Sequence, residues 1–255
     1  MRKRTLLVLV CLAMVCMVAV NGTLAQEIGK TFQNVVGFVT GLFGAPEADA
    51  EKLQVQLTYQ KRSGNQLVPL NETPVLYPAG TVPGFSWDDR VDVQLGGRTY
   101  RLWDDTRLFG AMDKFTSVTN TRAEAAYLRV AFAVKKNDAV SRLVHINFND
   151  DTSAFDVSDW TDITIDGQPY AMIVYTYRGA LAQGESTPPM LLQVAIDSSA
   201  TNADFAAIGN DFLQINAMAV QASAFTKKVG EDEVPMTYAE ALDAALPLDS
   251  FTPFQ

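Results

Sequence analysis

Three groups of residues in this sequence are equipped for chemistry: one histidine, a run of carboxylates and three tryptophans. His145 is the only histidine, so H-E-x-x-H, where two imidazoles one helical turn apart hold zinc, cannot be built. It lies between Val144 and Ile146 in an alternating run and reads as an ordinary strand position facing away from both. The G-x-S-x-G elbow, the P-loop and the G-x-G-x-x-G fingerprint are absent. Asp150, Asp151, Asp156, Asp159, Asp162 and Asp166 crowd one stretch around Trp160. Carboxylates collect around hard cations, which makes calcium the functional reading of that stretch. Their spacing does not match the twelve-residue calcium loop, and a solvated acidic loop is the expected reading. A glycosidase pair is defined by a separation in space that sequence does not give. Trp87, Trp103 and Trp160 have the chemistry of a sugar-stacking platform, although such residues serve more often as packing. No catalytic, metal-binding or cofactor-binding residue emerges, and the chain reads as non-enzymatic with no cofactor.

The elements that must position these groups are strands. Leu53, Val55, Leu57 and Tyr59 alternate with polar residues, as do Val91, Val93 and Leu95 before Gly96-Gly97, with RTYRLW as the return strand. In AEAAYLRVAFAVKK helix propensity is high, yet Leu128, Val130, Phe132 and Val134 alternate, which predicts a strand pairing with Val144, Ile146 and Phe148. TDITI and QPYAMIVYTY flank Asp166-Gly167, a strong hairpin signal. MLLQVAI and FLQINAMAVQ add two strands. Thr201 with Asp204 and Thr237 with Glu240 are spaced as capping boxes, with Gly209 and Pro247 as stops. Many short strands with few helices in connections predict an all-β, antiparallel sandwich of jelly-roll type.

The N-terminus sets the compartment. Arg2, Lys3 and Arg4 precede an uncharged apolar run from Thr5 to Val20, followed by small residues. This reads as a secretory signal over 1–25, with Thr23 and Ala25 before the cut and Gln26 after it. An uncleaved anchor is the alternative, but the run is shorter than the roughly 20 residues a bilayer requires. Cys11 and Cys16 would leave with the signal, so neither a disulfide nor thiol chemistry is expected in the exported chain. Net charge is −9 and becomes more negative once the three basic residues are gone, which disfavours nucleic acid and anionic membranes as partners.

Residues 26–50 form an apolar segment and hinge before a sandwich domain over 51–255. Phe32, Val35, Val39 and Phe43 fit a helical stripe, whereas Phe32, Val36, Phe38, Thr40 and Leu42 share one face of a strand. Both readings stay open on the sequence.

The signal ending VNGTLA resembles those processed by a SipW-type signal peptidase. VTNTRAEAAYLRVAFAV, IDGQPYAMIVYTYRGALAQGESTPPMLLQVAID and ATNADFAAIGNDFLQINAMAVQASAF resemble the TasA/camelysin family of exported Gram-positive matrix proteins. The resemblance implies a jelly-roll subunit, secreted and held at the cell surface or in the biofilm matrix. It further implies self-association into fibres, in which an N-terminal segment of one subunit completes a sheet of the next. Here that segment is Phe32 to Leu42. The protease activity attached to the camelysin name gains no support from a chain with one histidine. An exported adhesion or glycan-binding module is the second expectation and a hydrolase the third.

Overall fold

The computed structural model describes residues 55–71, 76–229, 231–248 and 254. The cut at Thr23, Ala25 and Gln26, the segment from Phe32 to Leu42, the hinge and Leu53 lie outside them. Strands dominate: β1 (Val55–Ser63), β2 (Gln66–Pro69), β3 (Pro78–Thr81), β4 (Arg90–Leu95), β5 (Arg98–Trp103), β6 (Leu108–Phe109), β7 (Met112–Asn120) and β8 (Ala126–Lys135). There follow β9 (Val144–Phe148), β10 (Phe155–Val157), β11 (Thr161–Ile165), β12 (Gln168–Tyr177), β13 (Leu191–Asp197), β14 (Leu213–Gln221), β15 (Thr226–Val229) and β16 (Asp232–Pro235). Among the described residues the α-helices, all short, are α1 (Asp138–Leu143), α2 (Asn202–Ile208) and α3 (Tyr238–Ala245).

Two sheets face each other. The first runs β2–β1–β7–β13, with β9 on the far edge of β13. The second runs β10–β12–β8–β14, with β11 following β10 along β12. Pairing is antiparallel except where Ile196 and Asp197 of β13 meet Pro78 and Ala79 of β3. Leu128, Val130 and Phe132 of β8 and Ile173 and Tyr175 of β12 meet Val118 of β7 and Leu191, Val194 and Ile196 of β13 in the main core. The period-2 alternation makes this face apolar. The all-β sandwich is therefore as the sequence indicates.

Local chemistry sets the connections. At the β11–β12 hairpin Asp166 and Gly167 both take positive φ, 48° and 76°, the geometry a two-residue turn needs to match strand twist. Both capping boxes form, Thr201 with Asp204 on α2 and Thr237 with Glu240 on α3. The expected pairing of the Leu128–Val134 strand with Val144–Phe148 does not occur. β8 pairs with β12 and β14, while β9 pairs with β13 in the other sheet. The reason is α1, capped by the Asn137 side chain, which carries the chain across the sandwich instead of turning it back. The two segments meet as facing layers, with Phe132 and Phe148 edge-to-face at 5.4 Å.

Both outer faces are covered as well. The β4–β5 hairpin places Leu95, Tyr100 and Leu102 on Phe115 and Leu192 of the first sheet. Helix α3 places Leu242, with Leu246 just beyond it, on Ala131, Met172, Val174 and Met218 of the second.

Lys114 on β7 is 7% exposed, with its ammonium 5.1 Å from the centre of the Tyr59 ring. Burial pushes its pKa down to about 8 from the ordinary 10.5. Between those values the unfolded chain holds a proton that the folded chain has released, so stability rises with pH there. Its slope approaches about 1.4 kcal/mol per pH unit. Tyr59 and Tyr175, pushed up to about 12 by burial, end the window, because above pH 10.0 the unfolded phenols ionise first. Urea midpoints are expected to climb from about pH 8 to pH 10 and then fall. Lys114→Met should flatten the climb, and a wild-type profile already flat would refute the assignment.

Candidate functional site

The outer face of the first sheet carries the most elaborate polar arrangement. A register shift between Leu191 and Gln193 in β13 puts Leu192 and Gln193 on the same side, as a bulge does. Leu192 joins the apolar cluster under the hairpin. Gln193 is fully buried, and its amide clamps the hairpin: Oε1 accepts from Trp103 N at 2.8 Å and from Asn147 Nδ2 at 3.2 Å. Its Nε2 donates to Asp113 at 3.1 Å, and Asp113 in turn accepts from the Arg62 guanidinium. Asn147 of β9 also donates to Arg101 O and accepts from Arg90 at 3.1 Å. These bonds join β1, β7, β13 and β9 to β4 and β5, and so fix the wall of a cleft.

The cleft has a volume of about 420 Å³, with Trp87, Arg90, His145, Asn147, Phe148 and Asp150 on its walls. The His145 ring stacks on Trp87 at 3.5 Å, nearly parallel at 10°. Trp87 meets Trp103 and Phe85 edge-on at 5.3 and 5.2 Å, and the Trp103 indole donates to Trp87 O. Loss of hydration lowers the His145 pKa below its ordinary value, against an opposing pull from the Asp197 carboxylate. The imidazole is therefore neutral at pH 7, and its Nε2 is buried without a hydrogen-bond partner among the described residues. At the rim Arg90 binds Asp150 at 3.0 Å, and Arg101 approaches the same carboxylate at 3.7 Å. Asp88 is exposed and hydrogen-bonds through its main-chain N–H, to Ser86 Oγ. Aromatic surface beside fixed donors and acceptors gives the cleft the make-up of a binding site.

The second feature is an edge. β14 pairs with β8 over all nine of its residues; β1 of the first sheet lies near it, but no second strand pairs with it through the main chain among the described residues. Its sequence, LQINAMAVQ, contains no charge, proline or glycine. Three other edges are blunted: β2 has four residues and ends at Pro69, β10 has three and carries Asp156, and β11 carries Asp162; β9, also an edge, is five residues long. A long uncharged edge is what soluble proteins ordinarily avoid.

His145 does face away from Val144 and Ile146, which pack against the core. Trp87 and Trp103 come together, whereas Trp160, 49% exposed, reaches only as far as Phe148, at 6.1 Å. The acidic run is dispersed. Asp150 goes to Arg90, Asp156 to Arg178 and Tyr238, Asp162 to Lys136, and Asp151 accepts from Ser153 N. Among the described residues no three His, Cys, Asp or Glu side chains converge to hold a metal ion. Sequence reasoning missed Arg90, Asp88 and Gln193, since nothing in local pattern links residues this far apart in the chain. No helix among the described residues is long and apolar enough to cross a membrane. Comparison with known proteins finds no matching family model, no matching curated protein and no matching solved structure.

Proposed function

We propose that the chain is an exported, non-enzymatic structural subunit of a Gram-positive cell-surface or biofilm-matrix fibre, a jelly-roll-type sandwich that assembles by β-strand addition. The observation that carries this reading is the edge of β14, nine residues long, without charge or proline, and paired with no second strand among the described residues. An added strand satisfies its main-chain groups and continues the sheet into the next subunit. The donor is the stretch from Phe32 to Leu42, freed when a SipW-type signal peptidase cuts after Ala25. It offers Phe32, Val36, Phe38 and Leu42 on one face, with Thr40 among them. Burial of those four side chains contributes about 6–12 kcal/mol before the costs of ordering. Self-association also supplies a means of retention at the surface.

The test is electron microscopy with light scattering on residues 26–255 and 46–255. Filaments from the longer chain and monomers from the shorter are expected. Compact monomers from both would overturn the reading.

A further inference from the structure

We propose that the cleft between Trp87 and β9 binds a neutral or amino saccharide. Five consecutive residues, Val144 to Phe148, line it, although alternate side chains of a strand point to opposite faces. A run without gaps means that the main chain itself forms the wall. β9 pairs with β13 along one edge only, among the described residues. Its other edge therefore offers main-chain N–H and C=O groups to hydroxyls. Trp87, stacked on His145, supplies the aromatic surface beside this wall. Arg90, pinned by Asn147 and Asp150, supplies donors in a fixed orientation, and Asp88 supplies an acceptor.

Size and charge narrow the ligand. A cleft of this volume lies toward the small end of ligand sites and suits about one or two sugar rings. Both arginines at the rim are committed to carboxylates: Arg90 to Asp150, and Arg101 to Asp150 and Asp92. Asp88 adds a negative charge with no ion pair among the described residues, so a uronate or phosphate would meet uncompensated repulsion. Neutral and amino sugars meet none. The proposal goes beyond the fibre reading, and since β14 belongs to the other sheet the two can fail separately.

The experiment is calorimetric titration of the full chain with cellobiose, chitobiose, the glucosamine disaccharide and, as the acidic comparison, digalacturonate. Saturable binding of at least one neutral or amino disaccharide and none of digalacturonate is expected. Asp88→Ala removes a carboxylate with no hydrogen bond or ion pair among the described residues, so it should weaken binding about tenfold with an unchanged urea midpoint. Trp87→Phe should also weaken binding. No saturable response to any neutral or amino sugar, or preference for digalacturonate, would overturn the proposal. So would wild-type affinity in both variants, or saturable binding of extended pentapeptides with none of the sugars.

Discussion

Arg129→Ala should destabilise the folded chain by about 3–5 kcal/mol in urea denaturation. Arg129 lies on the face of β8 turned away from the main core and is 2% exposed. Its Nε donates to Thr176 Oγ1, Nη1 to the carbonyls of Leu242 and Leu246, and Nη2 to Asp243 at 2.5 Å. Helix α3 ends at Ala245, so the guanidinium supplies a donor to the Leu246 carbonyl beyond the helix end and a second bond to Leu242 O, which also accepts from Leu246 N. Truncation removes the donors to the Leu246 carbonyl and Thr176 Oγ1 in a buried layer, and most of the lost stability comes from their desolvation. The ion pair contributes less, because the Asp243 side chain is 65% exposed and water screens it. Asp243→Ala should therefore cost under about 1 kcal/mol. Arg129→Met keeps most of the volume without the donors, so it should fall between the two. Equal losses from Arg129→Ala and Asp243→Ala would show that the ion pair dominates instead. Hydrogen exchange gives a second readout: α3 amides should lose protection in Arg129→Ala before those of β13.

The same residue shows where the sequence stops being legible. Leu128, Val130 and Phe132 announce β8 by alternation, and they do face the main core. Ala131 and Met218 on the opposite faces of their strands carry no such signal, because what buries them is α3, more than a hundred residues along from β8. A strand covered on both sides reads as nearly continuous apolar sequence, which is why AYLRVAFAV looks helical by propensity. Local signals were reliable where the chemistry is local. Both capping boxes and the Asp166-Gly167 turn depend on residues within four positions of each other. Strand partnership is not local, and the short helix α1 was enough to send β9 to the opposite sheet. The cleft was half legible. His145 stood out by being alone and the tryptophans by their chemistry, but the Gln193 bulge that seats the hairpin beside them has no signature in MLLQVAI.

With both faces of the sandwich covered, growth of the structure is confined to its edges. A covering layer removes apolar area from water but leaves strand edges unaltered. The hairpin shields the first sheet and α3 the second, yet neither layer pairs with β14. Among the described residues the uncharged nine-residue edge of β14 is the longest that the covering layers leave unpaired.

That edge is open to a substitution that spares the monomer. Phe212 O accepts from Lys135 N, and Ala222 N donates to Ala125 O. Antiparallel pairing alternates, so even-numbered residues between them direct their main-chain groups at β8 and odd-numbered ones direct theirs outward. Ala219 is one of the outward set. Ala219→Pro removes a donor that the β8 ladder does not use, and its ring occupies the space an added strand would take. Monomer stability should change by no more than about 1 kcal/mol, while filament formation by residues 26–255 should be lost. Val220→Pro is the counterpart: it deletes an N–H aimed at β8 and should cost about 3 kcal/mol or more of stability. Light scattering reads assembly, and the urea midpoint reads the fold. If Ala219→Pro forms filaments as the unsubstituted chain does, β14 is not the acceptor edge. If Ala219→Pro alone abolishes them while its midpoint holds, assembly runs through the main chain of β14, and the missing charges along that strand have their physical explanation.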